Sequence, residues 1–185
     1  MSFLKSLPHD SSPGTIFEKY PKIYGYWAEM GQEIMNGDSV FSPGERELIA
    51  AYAAHCAGSE YAFIAHSAAA KEWGINPSAL PNSIRNFKIN SIKSNWHPIL
   101  ALVKKLTLSP NSITQADINA ILEQKWTEDA LHHIIVITAR MNFMIRIIGG
   151  FGFKPLTPKA AKKRAFERVE KGYLELYPDL KKKTN

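Results

Sequence analysis

The chain has 185 residues, 45% of them hydrophobic, with a formal charge of +6 and a single cysteine. That length suits one sizeable core and is short for two domains. One cysteine excludes both an internal disulfide and an intramolecular thiol couple, and a reducing cytoplasm is the expected compartment.

The charge is unevenly placed. Residues 154–185 carry ten Lys and Arg against four Asp and Glu, a net of +6 that equals the whole excess of the chain. The expected organisation is a flexible N-terminus over 1–14, a core domain over 15–153, and a basic C-terminal helix and tail over 154–185. Residues 1–14 contain no apolar run long enough for a signal peptide. Residues 15–35 read as the first helix, firm from Pro21 onward, with Tyr20, Ile23, Tyr24, Trp27, Met30 and Ile34 forming an apolar face at steps of three and four.

Residues 47–74 read as a helical hairpin. Ser42-Pro43-Gly44 opens its first helix, Ala57-Gly58 breaks it, Ser59 is placed to cap the second, and Gly74 closes that one. Glu47 lies about 15 Å before the break and His66 about 10 Å after it. Folding back antiparallel brings them within about one turn. A carboxylate bonded to an imidazole fixes its tautomer and raises its basicity, as general acid/base chemistry requires. On spacing alone, a solvated first-turn acid and a satisfied core histidine is the favoured reading of the same residues.

A loop through Pro77 and Pro81 leads into a basic, poorly periodic stretch ending near Asn95. Trp96 or His97 then starts a helix with Pro98 in its first turn and Leu100, Val103 and Leu106 facing the core. Thr114 caps a short helix to Gln124. Thr127 caps the last long core helix, which Glu128 and Asp129 start and Gly149-Gly150 ends. The apolar run 134–153 carries Arg140, Asn142 and Arg146, which argues for a buried helix over a membrane span. In the tail, Ala161, Ala165, Phe166, Val169, Tyr173 and Leu174 recur at helical spacing, so this segment reads as an amphipathic helix docked on the body or a neighbouring subunit, and not as a nucleic-acid-binding arm. Lys181-Lys182-Lys183 is expected to be a frayed end. No segment alternates cleanly enough for a strand, so the fold class is all-α, built round the central hairpin.

The spacing Glu-x11-Cys-x-Tyr-Cys-x3-His resembles the signature of AhpD-like alkylhydroperoxidases in the carboxymuconolactone decarboxylase superfamily, with this chain on the peroxidase-related branch. Glu47, Tyr61 and His66 stand at matching positions, whereas Ser59 and Ala62 replace the two redox cysteines. The similarity extends over roughly residues 15–153 and includes Asn142 and Arg146 of the family's core signature. It implies an AhpD-like helical domain that self-associates as a dimer, trimer or hexamer. It also implies a family role in alkyl hydroperoxide reduction and antioxidant defence, in which Glu and His relay protons to the cysteines. This chain keeps the relay and lacks the redox pair.

The remaining candidates are weaker. Cys56 ends the first hairpin helix and reads as a small core thiol; as a redox centre it would need an external thiol. Ser59 is about 10 Å along the helix from His66, too far for a nucleophile and base pair. Ala62 offers His66 only a methyl group. Adjacent His132 and His133 diverge on a helix, and the sequence implies no metal and no cofactor. Three readings follow. First is a non-redox, decarboxylase-like enzyme in which Glu47 orients His66 to move a proton on a small anionic or carbonyl-bearing molecule. Next is a pseudoenzyme that only binds. Last is a one-cysteine peroxidase through Cys56.

Overall fold

A computed structural model describes residues 2–76 and 92–177, and within them the chain is helical with no strand. The helices are α1 (Pro13–Lys19), α2 (Pro21–Asn36), α3 (Pro43–Cys56), α4 (Glu60–Glu72), α5 (His97–Leu108), α6 (Gln115–Leu122), α7 (Glu128–Phe151) and α8 (Pro158–Lys171). Single 3-10 turns over Ser94–Trp96 and Pro110–Ser112 flank α5. Most of the loop expected after Gly74, and Lys181-Lys182-Lys183, lie outside the described residues.

Local chemistry explains where the helices start. At α3 the Ser42 hydroxyl accepts from the Glu45 amide at 3.3 Å while Glu45 accepts from the Ser42 amide at 2.8 Å, a reciprocal cap behind Pro43. Thr127 and Thr157 cap α7 and α8 by accepting from the Ala130 and Ala160 amides. Ser59 occupies the cap position of α4, as expected, but its side chain makes no capping bond. That helix start is held from the other side. Gly58, at φ +70°, reverses the chain, and the Ser59 amide donates to Ala54 O at 2.9 Å, closing the end of α3.

The hairpin of α3 and α4 is the centre of the bundle. Its buried positions are rich in alanine: Ala50, Ala51, Ala53, Ala54, Ala62, Ala69 and Ala70 are all at most 1% exposed, which lets the hairpin helices and their neighbours approach closely. Helix α7 packs on α3 and α5, and α8 lies along α4. Among the described helices, α7 alone is long and apolar enough to cross a membrane, and here it serves as a packed core helix. The ring cluster of Phe41, Trp96 and Trp126, at centroid distances of 5.0–5.8 Å, ties the starts of α3, α5 and α7 together.

Three expectations are corrected. Helix α7 runs through Gly149-Gly150 to Phe151 and ends at Gly152, whose left-handed backbone at φ +69° stops it. In α2 the buried face is Tyr24, Gly25, Ala28, Gly31 and Met35, while Tyr20, Ile23 and Met30 are exposed; at Gly31 the Arg140 side chain of α7 takes the space a larger residue would need. In α8 it is Arg168 that joins Ala161 and Ala165 on the buried face, and Phe166 is exposed.

The reciprocal cap at α3 has a measurable weight. Replacing Ser42 by Ala is expected to cost about 1 kcal/mol, seen as a lower urea midpoint with an unchanged slope.

Candidate active site

Glu47 sits one turn into α3 and His66 midway along α4, so the alanine-lined hairpin sets them face to face. His66 Nδ1 lies 2.6 Å from Glu47 Oε2, with the residues 7% and 1% exposed. The rest of the carboxylate is claimed by the C-terminal segment. The Tyr173 hydroxyl donates to Oε1 at 2.6 Å, and Arg168 Nη1 lies 3.5 Å from Oε2. Neither of these two partners figured among the expected site residues, and both come from more than 120 positions downstream.

The electrostatics fix the protonation states. Burial alone would raise the Glu47 carboxyl, but Arg168, His66 and the hydrogen bonds from His66 and Tyr173 outweigh it and hold the group at about 2. Burial pushes His66 down from its ordinary 6.5; Glu47 opposes that shift, and Arg168 and Arg140 add to it. Burial likewise raises Tyr173, which stays a phenol and keeps its proton to donate. At neutral pH the set is therefore a carboxylate, a neutral imidazole and a guanidinium. Two acceptors cannot face each other at 2.6 Å, so the imidazole proton sits on Nδ1 and Nε2 carries the lone pair.

Around this pair the arginines are stacked on rings. The Arg140 guanidinium lies 4.1 Å from the Trp27 ring and 4.6 Å from that of Tyr173, and Arg168 lies 4.8 Å from the same tyrosine. Helix α2 makes room for this by carrying glycine at 31, where an added Cβ would come within 2.6 Å of Arg140 Nη2. Gln32, the next residue, accepts from the Tyr173 amide at 2.7 Å and so pins the strand of chain that follows α8.

A cavity of about 40 Å³ opens beside His66. Its lining includes Tyr61, Ala62, His66, Arg140, Arg164 and Arg168 together with the apolar Met141, Met144 and Ile148. The Tyr61 and Tyr177 hydroxyls and Arg168 Nε are buried there without a hydrogen-bond partner. Since Nδ1 is committed to Glu47, Nε2 is the ring nitrogen available to a molecule in this space.

Residues 21–80 match the carboxymuconolactone decarboxylase family, about a third of the chain and the part that contains the hairpin. A search of curated proteins finds no match. Two solved structures share the architecture. One is an uncharacterized peroxidase-related protein from Silicibacter sp. TM1040, with a TM-score of 0.69 and 19% identity over 86% of this chain and 94% of that one. The other is an alkylhydroperoxidase AhpD core, an uncharacterized peroxidase-related protein from Ralstonia eutropha JMP134, with a TM-score of 0.72 and 19% identity over 80% and 78% of the two chains. The fold is AhpD-like.

On this AhpD-like frame the other candidate residues fall as follows. Tyr61 and Ala62 line the cavity, Ala62 one turn before His66, while Ser59 stays at the hairpin break. Cys56 is half-buried and absent from the cavity wall. Burial pushes its thiol up, against the smaller opposing pull of Tyr52 and Lys104. Asn142 and Arg146 do not reach the cavity. Asn142 Nδ2 donates to Thr138 O at 3.1 Å, and Arg146 is exposed and donates back to Asn142 O at 2.7 Å. The buried arginine of α7 is Arg140; six positions on a helix turn the side chain through about 240°, out of the core. His132 and His133 lie on α7 with rings nearly perpendicular, and no cluster of three or more metal-ligating side chains occurs among the described residues.

Acid should reveal the buried pair. Both Glu47 and His66 have folded pKa values below their ordinary ones, so their contribution to stability is full above 6.5 and is lost as the pH falls, first through His66 and then between about 4.5 and 2 through Glu47. Chemical denaturation at a series of pH values is expected to show that decline, and His66→Gln to flatten its upper part. Peroxide tests the thiol: with its pKa raised, Cys56 should form sulfenic acid more slowly than an exposed thiol, read by mass spectrometry beside Cys56→Ser.

Proposed function

We propose that the protein is a non-redox acid/base enzyme acting on a small molecule in the cavity beside His66. The single observation that carries this reading is the 2.6 Å bond between His66 Nδ1 and Glu47 Oε2 at the wall of a cavity that holds no cysteine. Glu47 fixes the tautomer and stabilises the imidazolium that forms when Nε2 takes a proton; Tyr173 and Arg168 keep that carboxylate ionised and in place. Proton uptake by His66 is helped by Glu47 and opposed by Arg168 and Arg140, so the base stays neutral and ready at neutral pH. Ala62 adds a methyl group to the cavity wall, leaving space for substrate next to His66.

Resemblance to peroxidase-related proteins supplies the fold, and the chemistry proposed is the part of that family's machinery that survives without a cysteine pair. The raised Cys56 thiol and its place away from the cavity speak for the same reading over a one-cysteine peroxidase.

The test is proton exchange. In deuterium oxide, short carbonyl compounds incubated with the protein are expected to incorporate deuterium next to the carbonyl, followed by NMR. His66→Gln should slow this by about 10²–10⁴-fold, the usual weight of a general base, and Glu47→Gln by a smaller factor. Exchange that is unaffected by His66→Gln, or absent across the panel, would leave the protein a binding module.

A further inference from the structure

The buried charges of the site do not balance. Among the described residues Glu47 is the one buried acid, whereas Arg46, Arg140 and Arg168 are buried arginines. Arg46 is committed elsewhere, donating to Ile34 O and Gly37 O at the end of α2. Arg168 answers Glu47. That leaves Arg140, stacked on Trp27 and Tyr173, with no acidic side chain within 4 Å among the described residues. A fourth arginine adds to the excess. Arg164, half-buried, stands one turn before Arg168 on α8, lines the same cavity, has the Tyr177 ring 5.5 Å away, and feels the Glu167 carboxylate without an ion pair to it within 4 Å. Cations held out of water require compensating negative charge.

The cavity holds more unpartnered donors than acceptors, with Arg140 Nε and Nη2 among them. Tyr61 and Tyr177 present hydroxyls and Arg168 presents Nε, all buried and unpartnered. A bound molecule that satisfies them must bring oxygens. The apolar part of the lining, with Met141, Met144 and Ile148, calls for an apolar body. A planar two-oxygen anion matches the guanidinium fork, whereas a tetrahedral inorganic anion would leave the methionine side unfilled.

We propose that the cavity binds the carboxylate of a short-chain organic acid, held by Arg164 and Tyr61, with its apolar chain against Met141, Met144 and Ile148. As the substrate class of the reaction, this rests on the acid/base reading above; as a binding site, it stands on the charge imbalance alone. In this arrangement Arg164 and Tyr61 are binding residues and Arg168 is shared between ligand and Glu47. The carboxylate anchors the molecule so that the carbon beside it faces His66.

Calorimetric titration and thermal shift of the full chain with butyrate, 1-butanol and inorganic phosphate test this. Butyrate is expected to bind at least about tenfold more tightly than either of the others and to raise the melting temperature. Arg164→Gln should weaken butyrate about tenfold or more, as loss of a charge-assisted pair does, and Tyr61→Phe by a smaller factor. If Arg164→Gln does not fold, Tyr61→Phe and the selectivity of the wild type carry the test. Equal binding of butanol would overturn the proposal, as would phosphate binding that matches butyrate or folded variants that keep wild-type affinity. His66→Gln separates the two readings. Butyrate binding that survives in it while deuterium exchange is unaffected sinks the base alone, and exchange that needs His66 without carboxylate selectivity sinks the anion site alone.

Discussion

A carboxylate with 1% of its surface exposed lies at the centre of this bundle, and most of the architecture can be read as the means of keeping it there charged. Taking an ion of that size out of water costs several kcal/mol, and one partner rarely offsets it. Here the offset is divided among three groups from three places in the chain: the imidazole of α4, the guanidinium of α8 and the phenol that follows α8. Removing one member of such a set typically costs about 3–5 kcal/mol, since the others are left facing an uncompensated charge.

Packing follows from that requirement. A short bond between α3 and α4 needs closely set helices, and the buried alanines provide them. Two guanidiniums beside one tyrosine ring need flat neighbours and space, which Trp27 and the missing side chain at Gly31 supply. The ring faces of Trp27 and Tyr173 thus receive the positive charge of Arg140, which has no acidic side chain within 4 Å among the described residues.

The hairpin and its Glu47–His66 contact were legible because they are local: a helix break, two arm lengths and the helical rise suffice to place two residues nineteen positions apart. The same holds for the capped starts of α3 and α7. The arginine–tyrosine half of the site was not, because it joins residues 121 and 126 positions apart through tertiary packing. One signal was present. Ala161, Ala165 and Arg168 share a face at steps of four and three, so an arginine interrupts the small-residue stripe of α8; weighing hydrophobicity alone placed Phe166 on that face in its stead. That Arg140, and not Arg146, is the buried arginine of α7 was hidden for a related reason. Both lie in an apolar run, and only the facing helices decide which side of α7 is inside.

Because Arg168 and Tyr173 complete the ion set, the order of synthesis matters to it. At ordinary translation speeds of about 5–20 residues per second, roughly 6–24 s separate the appearance of Glu47 from that of Arg168. During that interval the hairpin holds an acid without its cation, and the carboxyl must keep its proton or its water. Burial of the charge as the structure shows it therefore waits on α8 and the residues that follow it. A nascent protein stalled short of α8 would have its core and its histidine and still lack the electrostatic state on which the pair depends.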